Sequence, residues 1–338
     1  MVIARSFHAW ERRLASVDTN RVVRPFDWGL DWLNLDPSTA DPKAAVTAWA
    51  AEAMSDTDRF FATPSTDDYR LEDGTLWFPS AIETPYPVNN VVSARVFPGR
   101  PRPAGEPRRA VIVLPQWNSD PQGHVGLCEL FARFGMTAVR LSLPYHDARK
   151  PADLERADYI VSSNVGRTMQ ANRQAVLDAR RIVDWLAREG YERIGIMGTS
   201  LGSCLAALTM AHEPRLRAGA FNHVSPYFAD VVWRGLSTRH VRAGLDGHVT
   251  LDVLREMWMP ISPWPFVTRL RGRAALLVYA RYDLTFPVDL SRRFIGEFQR
   301  LGVPHEVAEL RCGHYTTGKA PFKYLDGYYL TKFFVKKL

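Results

Sequence analysis

Cysteine is scarce in this chain: three residues in 338, Cys128, Cys204 and Cys312, at no spacing that a zinc site or a disulfide framework uses. That excludes a stapled secreted scaffold and points to a cytoplasmic setting, with the cysteines as small buried hydrophobes. Long apolar runs are also missing, and no stretch reaches the about 20 residues of a membrane span. The opening MVIARSFHAWERRLASVD scatters Arg5, His8, Glu11, Arg12 and Arg13 among its apolar residues, so it carries no secretory h-region. Acidic residues are the minority, 36 against 43 Lys and Arg, for a net charge of +7. The basic residues are spread along the chain, which argues for a solvated surface and against a nucleic-acid partner. Repeats, low-complexity tracts and long linkers are absent. What remains, at 46% hydrophobic residues, is an ordinary globular composition long enough to bury one large core.

The first seventy or so residues differ from the rest. A helix near the start, an aromatic and Asp-rich connector (RPFDWGLDWLNLDP) and a second helix opened by Asp41 and Pro42 suggest a helical extension over 1–74. Residues 75–97 read as two strands around a Pro- and Asn-rich turn. From Ala110 strands and helices alternate: AVIVLP, MTAVRLSLP, RIGIMG, RAGAFNHV, AALLVYA and HEVAEL as strands, with helices between them. One helix places Leu127, Leu130, Phe131 and Phe134 on a common face; another places Val176, Ala179, Ile182, Val183 and Leu186 inward. Continuous apolar strands alternating with helices imply a parallel sheet buried on both faces. The expectation is an α/β fold over 75–338, with an open, mostly parallel sheet of about eight strands. Residues 226–270 interrupt the alternation with Trp233, Met257, Trp258, Met259, Trp264 and Phe266, and suggest a helical insertion acting as a lid.

Gly198-Thr-Ser200-Leu-Gly202 falls where the strand RIGIMG becomes the helix SLGSCLAALTMA. In such sheets ligands bind beyond the carboxyl ends of the strands. Glycines on both sides of a serine there allow a sharp turn that exposes its oxygen. The rival reading is a serine that only caps its helix. A nucleophilic serine needs a base and a group to orient it. Asp283, after AALLVYA, and His314, after HEVAEL, supply these in the order Ser, Asp, His. Asp289 and His305 are the neighbouring alternatives, the first inside the next helix and the second at the wrong end of its strand.

GTSLG, YARYDLTFP and CGHY, in that order on those elements, resemble the α/β-hydrolase superfamily and its esterase- and lipase-like serine hydrolases, over about residues 90–338. The resemblance implies Ser200 as nucleophile, His314 as general base and Asp283 as the acid that fixes the imidazole, with no metal or organic cofactor. It also implies an oxyanion hole from the backbone N–H of Leu201 and one in the loop after AVIVL. Such hydrolases commonly carry His-Gly in that loop; here stand Pro115-Gln116-Trp117-Asn118, so the donor is Trp117 or Gln116. Trp117 packing on the core is the equal alternative. Tyr145, His146, His223 and Trp258 are pocket candidates, though for His223, a lone histidine after an apolar run, a hydrogen-bonded core residue is the better reading.

A serine at this position argues for acyl transfer, and the expected substrate is a small-molecule ester with a small or apolar acyl group. A peptidase, thioesterase or acyltransferase uses the same residues, and a non-catalytic binding protein on the same fold is the reading from another class. A homo-oligomer stays open.

Overall fold

The computed structural model describes residues 2–103 and 105–338. Nine strands form one sheet: β1 (Arg70–Glu72), β2 (Thr75–Pro79), β3 (Val91–Phe97), β4 (Arg109–Leu114), β5 (Met136–Leu141), β6 (Arg193–Thr199), β7 (Leu216–Asn222), β8 (Ala274–Ala280) and β9 (Glu306–Leu310). Their order is β1-β2-β3-β5-β4-β6-β7-β8-β9. The first three pair antiparallel, β3 joins β5 antiparallel, and β5 to β9 run parallel.

The α-helices are α1 (Val2–Ala15), α2 (Pro42–Ser55), α3 (Thr57–Phe60), α4 (Val125–Arg133), α5 (Val165–Arg188), α6 (Leu201–His212), α7 (Phe228–Arg234), α8 (Arg239–Leu245), α9 (Leu251–Met257), α10 (Val288–Arg300) and α11 (Phe322–Lys337). Strand β4 shows why the central strands are apolar throughout. Ala110, Ile112 and Leu114 join the core on one face of the sheet, Val111 and Val113 the core on the other. Helix α5 buries Val176, Ala179, Ile182, Val183 and Leu186 in the first core, as its periodicity requires.

Helix α4 departs from its expected face. It buries Cys128 and Phe131, while Phe134 lies past its last turn and is 52% exposed. Gly135 follows at φ +76°, so the chain turns away before Phe134 can point inward. The ninth strand is β1, whose three residues are all exposed. It pairs with β2 across Asp73 (φ 47°) and Gly74 (φ 72°), the two positive dihedrals that suit the twist of a tight hairpin. The expected boundary at 74 therefore falls in a hairpin turn.

Residues 226–270 hold α7, α8, α9 and two 3₁₀ turns, and α2 packs against α9. No helix among the described residues is long and apolar enough to cross a membrane.

Candidate active site

Ser200 joins β6 to α6 with φ 57° and ψ −122°, a conformation costly for any residue with a Cβ. The flanking glycines make it possible. A Cβ on Gly198 would lie 1.9 Å from the carbonyl oxygen of Gly202, and one on Gly202 would lie 2.2 Å from that of Leu114. The main chain is pinned on both sides. Ser200 donates its N–H to the Asn222 carbonyl (2.8 Å), and its own carbonyl accepts from the N–H (2.9 Å) and hydroxyl (2.6 Å) of Ser203. The Ser200 hydroxyl is left to face His314.

His314 Nε2 is 3.0 Å from Ser200 Oγ, and Nδ1 is 2.9 Å from Asp283 Oδ2. The other oxygen of Asp283 accepts the N–H groups of Thr285 (2.8 Å) and Phe286 (2.7 Å). An ionised carboxylate only accepts, so the proton of neutral His314 sits on Nδ1 and the Nε2 lone pair faces the serine. Burial disfavours the charge on Asp283. The opposing His314 and the imidazole contacts win, and hold its carboxyl well below the usual range. Burial likewise works against His314 charging, but the adjacent Asp283 carries its pKa above the ordinary histidine value, with Glu11 adding to the effect. Phe286 stacks on the His314 ring at 5.3 Å.

His223 lies in the same cluster, fully buried, its ring 4.7 Å from that of His314. Its Nδ1 is 3.1 Å from Asp283 Oδ2 but off the line of a hydrogen bond, and burial lowers its pKa. His223, Asp283 and His314 place three potential metal-ligand atoms within 4.8 Å of one another. Two of these side chains already face partners in the Ser–His–Asp chain.

The loop after β4 is braced from outside itself. Asn118, at φ 57°, donates its N–H to His146 Nε2 (2.9 Å) and accepts the Ala157 N–H on Oδ1 (2.7 Å). His146 donates from Nδ1 to the Pro144 carbonyl (2.9 Å), so both partners select one neutral tautomer. Burial lowers its pKa to about 4. The Trp117 indole donates to the Ala157 carbonyl (2.8 Å) and stacks on His240. Buried Arg140 spans to the Gly123 (2.6 Å) and Asp120 (2.7 Å) carbonyls and to Asp147 (2.8 Å).

Of the pocket candidates, Tyr145, His146 and His223 border the cleft, while Trp258 borders no described cavity. Trp258 is fully buried, its indole donating to the Val165 carbonyl (3.3 Å) and its ring meeting Phe228 edge-on. The insertion spends that aromatic on its own packing. Asp289, the alternative acid, pairs with Arg234 on the surface.

Sequence reasoning missed three contributors. His124, at φ 68°, contacts the Thr199 hydroxyl (2.9 Å) one residue before Ser200, and burial lowers its pKa to about 4. Arg21 reaches the Tyr315 hydroxyl (2.9 Å) and lines the cleft. Glu11 contacts the loop that carries His314. None belongs to a local motif; only the fold brings them in.

Ser200 and Trp117 border two unequal spaces. The larger is a cleft of about 1230 Å³ with Asp18, Arg21, Lys150, Glu155, Arg156 and Asp326 in its wall. The smaller, about 30 Å³, is apolar and lies among Leu201, Cys204, Phe228, Val231, Val232 and Phe286.

The model of the family described as alpha/beta hydrolase domain containing 18 matches residues 88–235, which hold the elbow but end before Asp283 and His314. Acylaminoacyl peptidase from Pyrococcus horikoshii superposes with a TM-score of 0.61 at 16% identity, over 81% of this chain and 42% of that one. This chain thus spans less than half of that peptidase's length. Acetyl xylan esterase 1 from a Thermoanaerobacterium species gives 0.60 at 15% identity, over 92% and 99%. An esterase from Pyrococcus furiosus gives 0.55 at 14%, over 82% and 97%. At such identities the likeness is one of fold, and with the strand order above it shows that this chain has the α/β-hydrolase fold.

Proposed function

We propose that this chain, which has the α/β-hydrolase fold, is a serine hydrolase that cleaves an ester with a short apolar acyl group through an acyl-enzyme. The observation that carries the reading is the relay Ser200 Oγ–His314 Nε2 (3.0 Å) and His314 Nδ1–Asp283 Oδ2 (2.9 Å). In this mechanism His314 takes the Ser200 proton as Oγ attacks the ester carbonyl, and Asp283 stabilises the imidazolium that forms. The oxyanion is received by the N–H of Leu201, which as the first residue of α6 has no intrahelical acceptor, and by that of Trp117, with Gln116 beside it. His314 returns its proton to the departing alcohol. Water then enters and gives a proton to His314 as its oxygen bonds the acyl carbon; the bond to Ser200 Oγ breaks, Oγ takes that proton back from His314, and the acid leaves.

The two spaces at Ser200 support the choice of substrate. A volume of about 30 Å³ takes one or two water-sized groups, which suits the methyl or ethyl of an acyl chain and not a fatty tail. The polar cleft suits a larger, hydrogen-bonding alcohol portion.

The test is reaction with a fluorophosphonate, peptide mapping, and a series of p-nitrophenyl esters. Ser200 of the wild type is expected to be modified, and folded Ser200→Ala and His314→Ala chains are not. Acetate and propionate should exceed octanoate in kcat/KM by about tenfold or more, because a pocket that excludes methylenes discriminates by about that much. A folded, unmodified wild type would refute the nucleophile. Preference for long chains would refute only the small acyl pocket, and selective cleavage of aminoacyl anilides would favour a peptidase.

A further inference from the structure

Helix α1 presents Phe7, Glu11 and Ala15 at intervals of four, one stripe of the helix. Ala15 is buried, as such a stripe requires, but so is Glu11, which exposes nothing to solvent. A buried carboxylate demands partners. Oε1 accepts the N–H and the hydroxyl of Thr316, both at 2.9 Å, and Oε2 accepts the N–H of Tyr315 at 2.9 Å. All three donors belong to the two residues that follow His314.

The fit extends to Gly313, where a Cβ would stand 2.3 Å from Glu11 Cδ and 2.5 Å from Cγ. Only glycine admits the carboxylate there. Four residues before Glu11, Phe7 stacks on Tyr282 at 4.8 Å, directly before Asp283, and meets Phe322 edge-on. One helix therefore touches both loops that deliver the acid and the base. Among the described residues no lysine, arginine or histidine lies within 4.0 Å of the Glu11 carboxylate, so no cation in direct contact offsets its charge.

We propose that α1 is part of the catalytic apparatus, with Glu11 a positioning residue that fixes the main chain directly after His314 and favours its imidazolium as a second buried carboxylate. This rests on the serine-hydrolase reading above. A hydrogen-bonded carboxylate behind the loop keeps Nε2 aimed at Ser200, and placement errors of about 1 Å cost about a hundredfold in rate. The groups facing His314 are Asp283 after β8, His223 after β7, Ser200 at the elbow, Glu11 from α1, and Tyr315 in its own loop with Arg21 on its hydroxyl. Of these only Asp283 and Glu11 are carboxylates.

The experiment compares the full-length wild type with Glu11→Gln and Glu11→Asp, using p-nitrophenyl acetate across pH and fluorophosphonate labelling of Ser200. Glu11→Gln keeps the volume but loses the charge and one amide acceptor. Its kcat should fall about 10- to 100-fold with KM within about twofold, as expected for a change in positioning rather than binding. Its acidic limb in kcat/KM should move to lower pH, because His314 loses a group that favours its charged form. Glu11→Asp should retain the wild-type limb, with kcat between the other two.

A folded Glu11→Gln chain with wild-type kcat and limb overturns the proposal. So does a fall in kcat with an unmoved limb, which marks Glu11 as packing alone. Should Glu11→Gln not fold, Glu11→Asp decides: wild-type kcat there overturns the proposal, since the shorter side chain cannot span both amides. Failure of wild-type Ser200 to label instead removes the hydrolase reading, and this proposal falls with it.

Discussion

His146→Leu tests how the loop of Pro115, Gln116, Trp117 and Asn118 works without the His-Gly that similar hydrolases carry. Leucine preserves much of the volume but removes the acceptor for the Asn118 N–H and the donor to the Pro144 carbonyl, at 2.9 Å each. Each stranded main-chain group costs about 1–3 kcal/mol, and the better burial of leucine returns part of this, so a loss of about 2–4 kcal/mol is expected. A domain stable by about 5–15 kcal/mol stays folded. The rate should suffer more. Asn118 holds a left-handed φ of 57°, which costs about 1–2 kcal/mol and is sustained here by its bonds to His146 and Ala157. With one bond gone the loop relaxes and the Trp117 N–H, the proposed oxyanion donor, leaves its place; losing such a donor lowers kcat about 10²–10³-fold. The assay is kcat on p-nitrophenyl acetate per fluorophosphonate-titrated site, beside a urea melt at pH 7. A folded variant with kcat within about threefold of wild type, against that 10²–10³-fold expectation, would refute the argument that His146 holds the oxyanion loop.

Three further outcomes follow from the same geometry. In Gly202→Ala the new methyl meets the Leu114 and Pro115 carbonyl oxygens at 2.2 and 2.5 Å, so α6 must retreat by about 1 Å; kcat should drop about a hundredfold in a folded protein, and wild-type kcat would show that the elbow tolerates a Cβ. Val232→Ala enlarges the small apolar space and should raise the butyrate-to-acetate ratio of kcat/KM about tenfold, an unchanged ratio placing the acyl group elsewhere. His124 and His146 titrate near 4 in the fold and about 6.5 unfolded, so the unfolded chain binds more protons between those values. Their contribution is complete above about pH 6.5 and shrinks as pH falls toward 4, by about 2 kcal/mol each at pH 5. His314, with its raised pKa, acts in the opposite sense, since its stabilisation is present below about 6.5 and fades as pH rises through its folded value. Urea melts at pH 7 and pH 5 measure the balance, and equal stability at both would contradict the buried, neutral state of the two histidines.

What was legible in the sequence is what burial and close approach write locally. Strand β4 must be apolar on both faces, and so Ala110 to Leu114 form an unbroken run. Gly198 and Gly202 must lack a Cβ, and so the elbow has a pattern. Asp283 and His314 stand past the ends of strands whose order the alternation already implies. The contributors that stayed hidden act across the chain. Glu11 bonds residues 304 and 305 positions away, and nothing in ERRLA separates it from a solvent-facing glutamate. Strand β1 buries no side chain and so has no hydrophobic pattern; its signal was Asp73-Gly74, a hairpin dipeptide that composition alone makes look like loop. Trp258 shows the limit from the other side, because an aromatic in an insertion has the same letter whether it lines a pocket or fills a core.

His146 joins the two cases. Its position after β5 marks it as close to the strand ends, but its work is on a different segment, through one ring nitrogen to Asn118 and the other to Pro144. A loop lacking glycine reaches its strained turn with the neighbouring segment supplying the restraint. The same division holds for the proposed base, where His314 sits in a short motif and the carboxylate that braces its loop arrives from α1. In both places the reacting group is local in sequence, and the rigidity it needs is imported from a distant element. That is the part of an active site that only a fold can display.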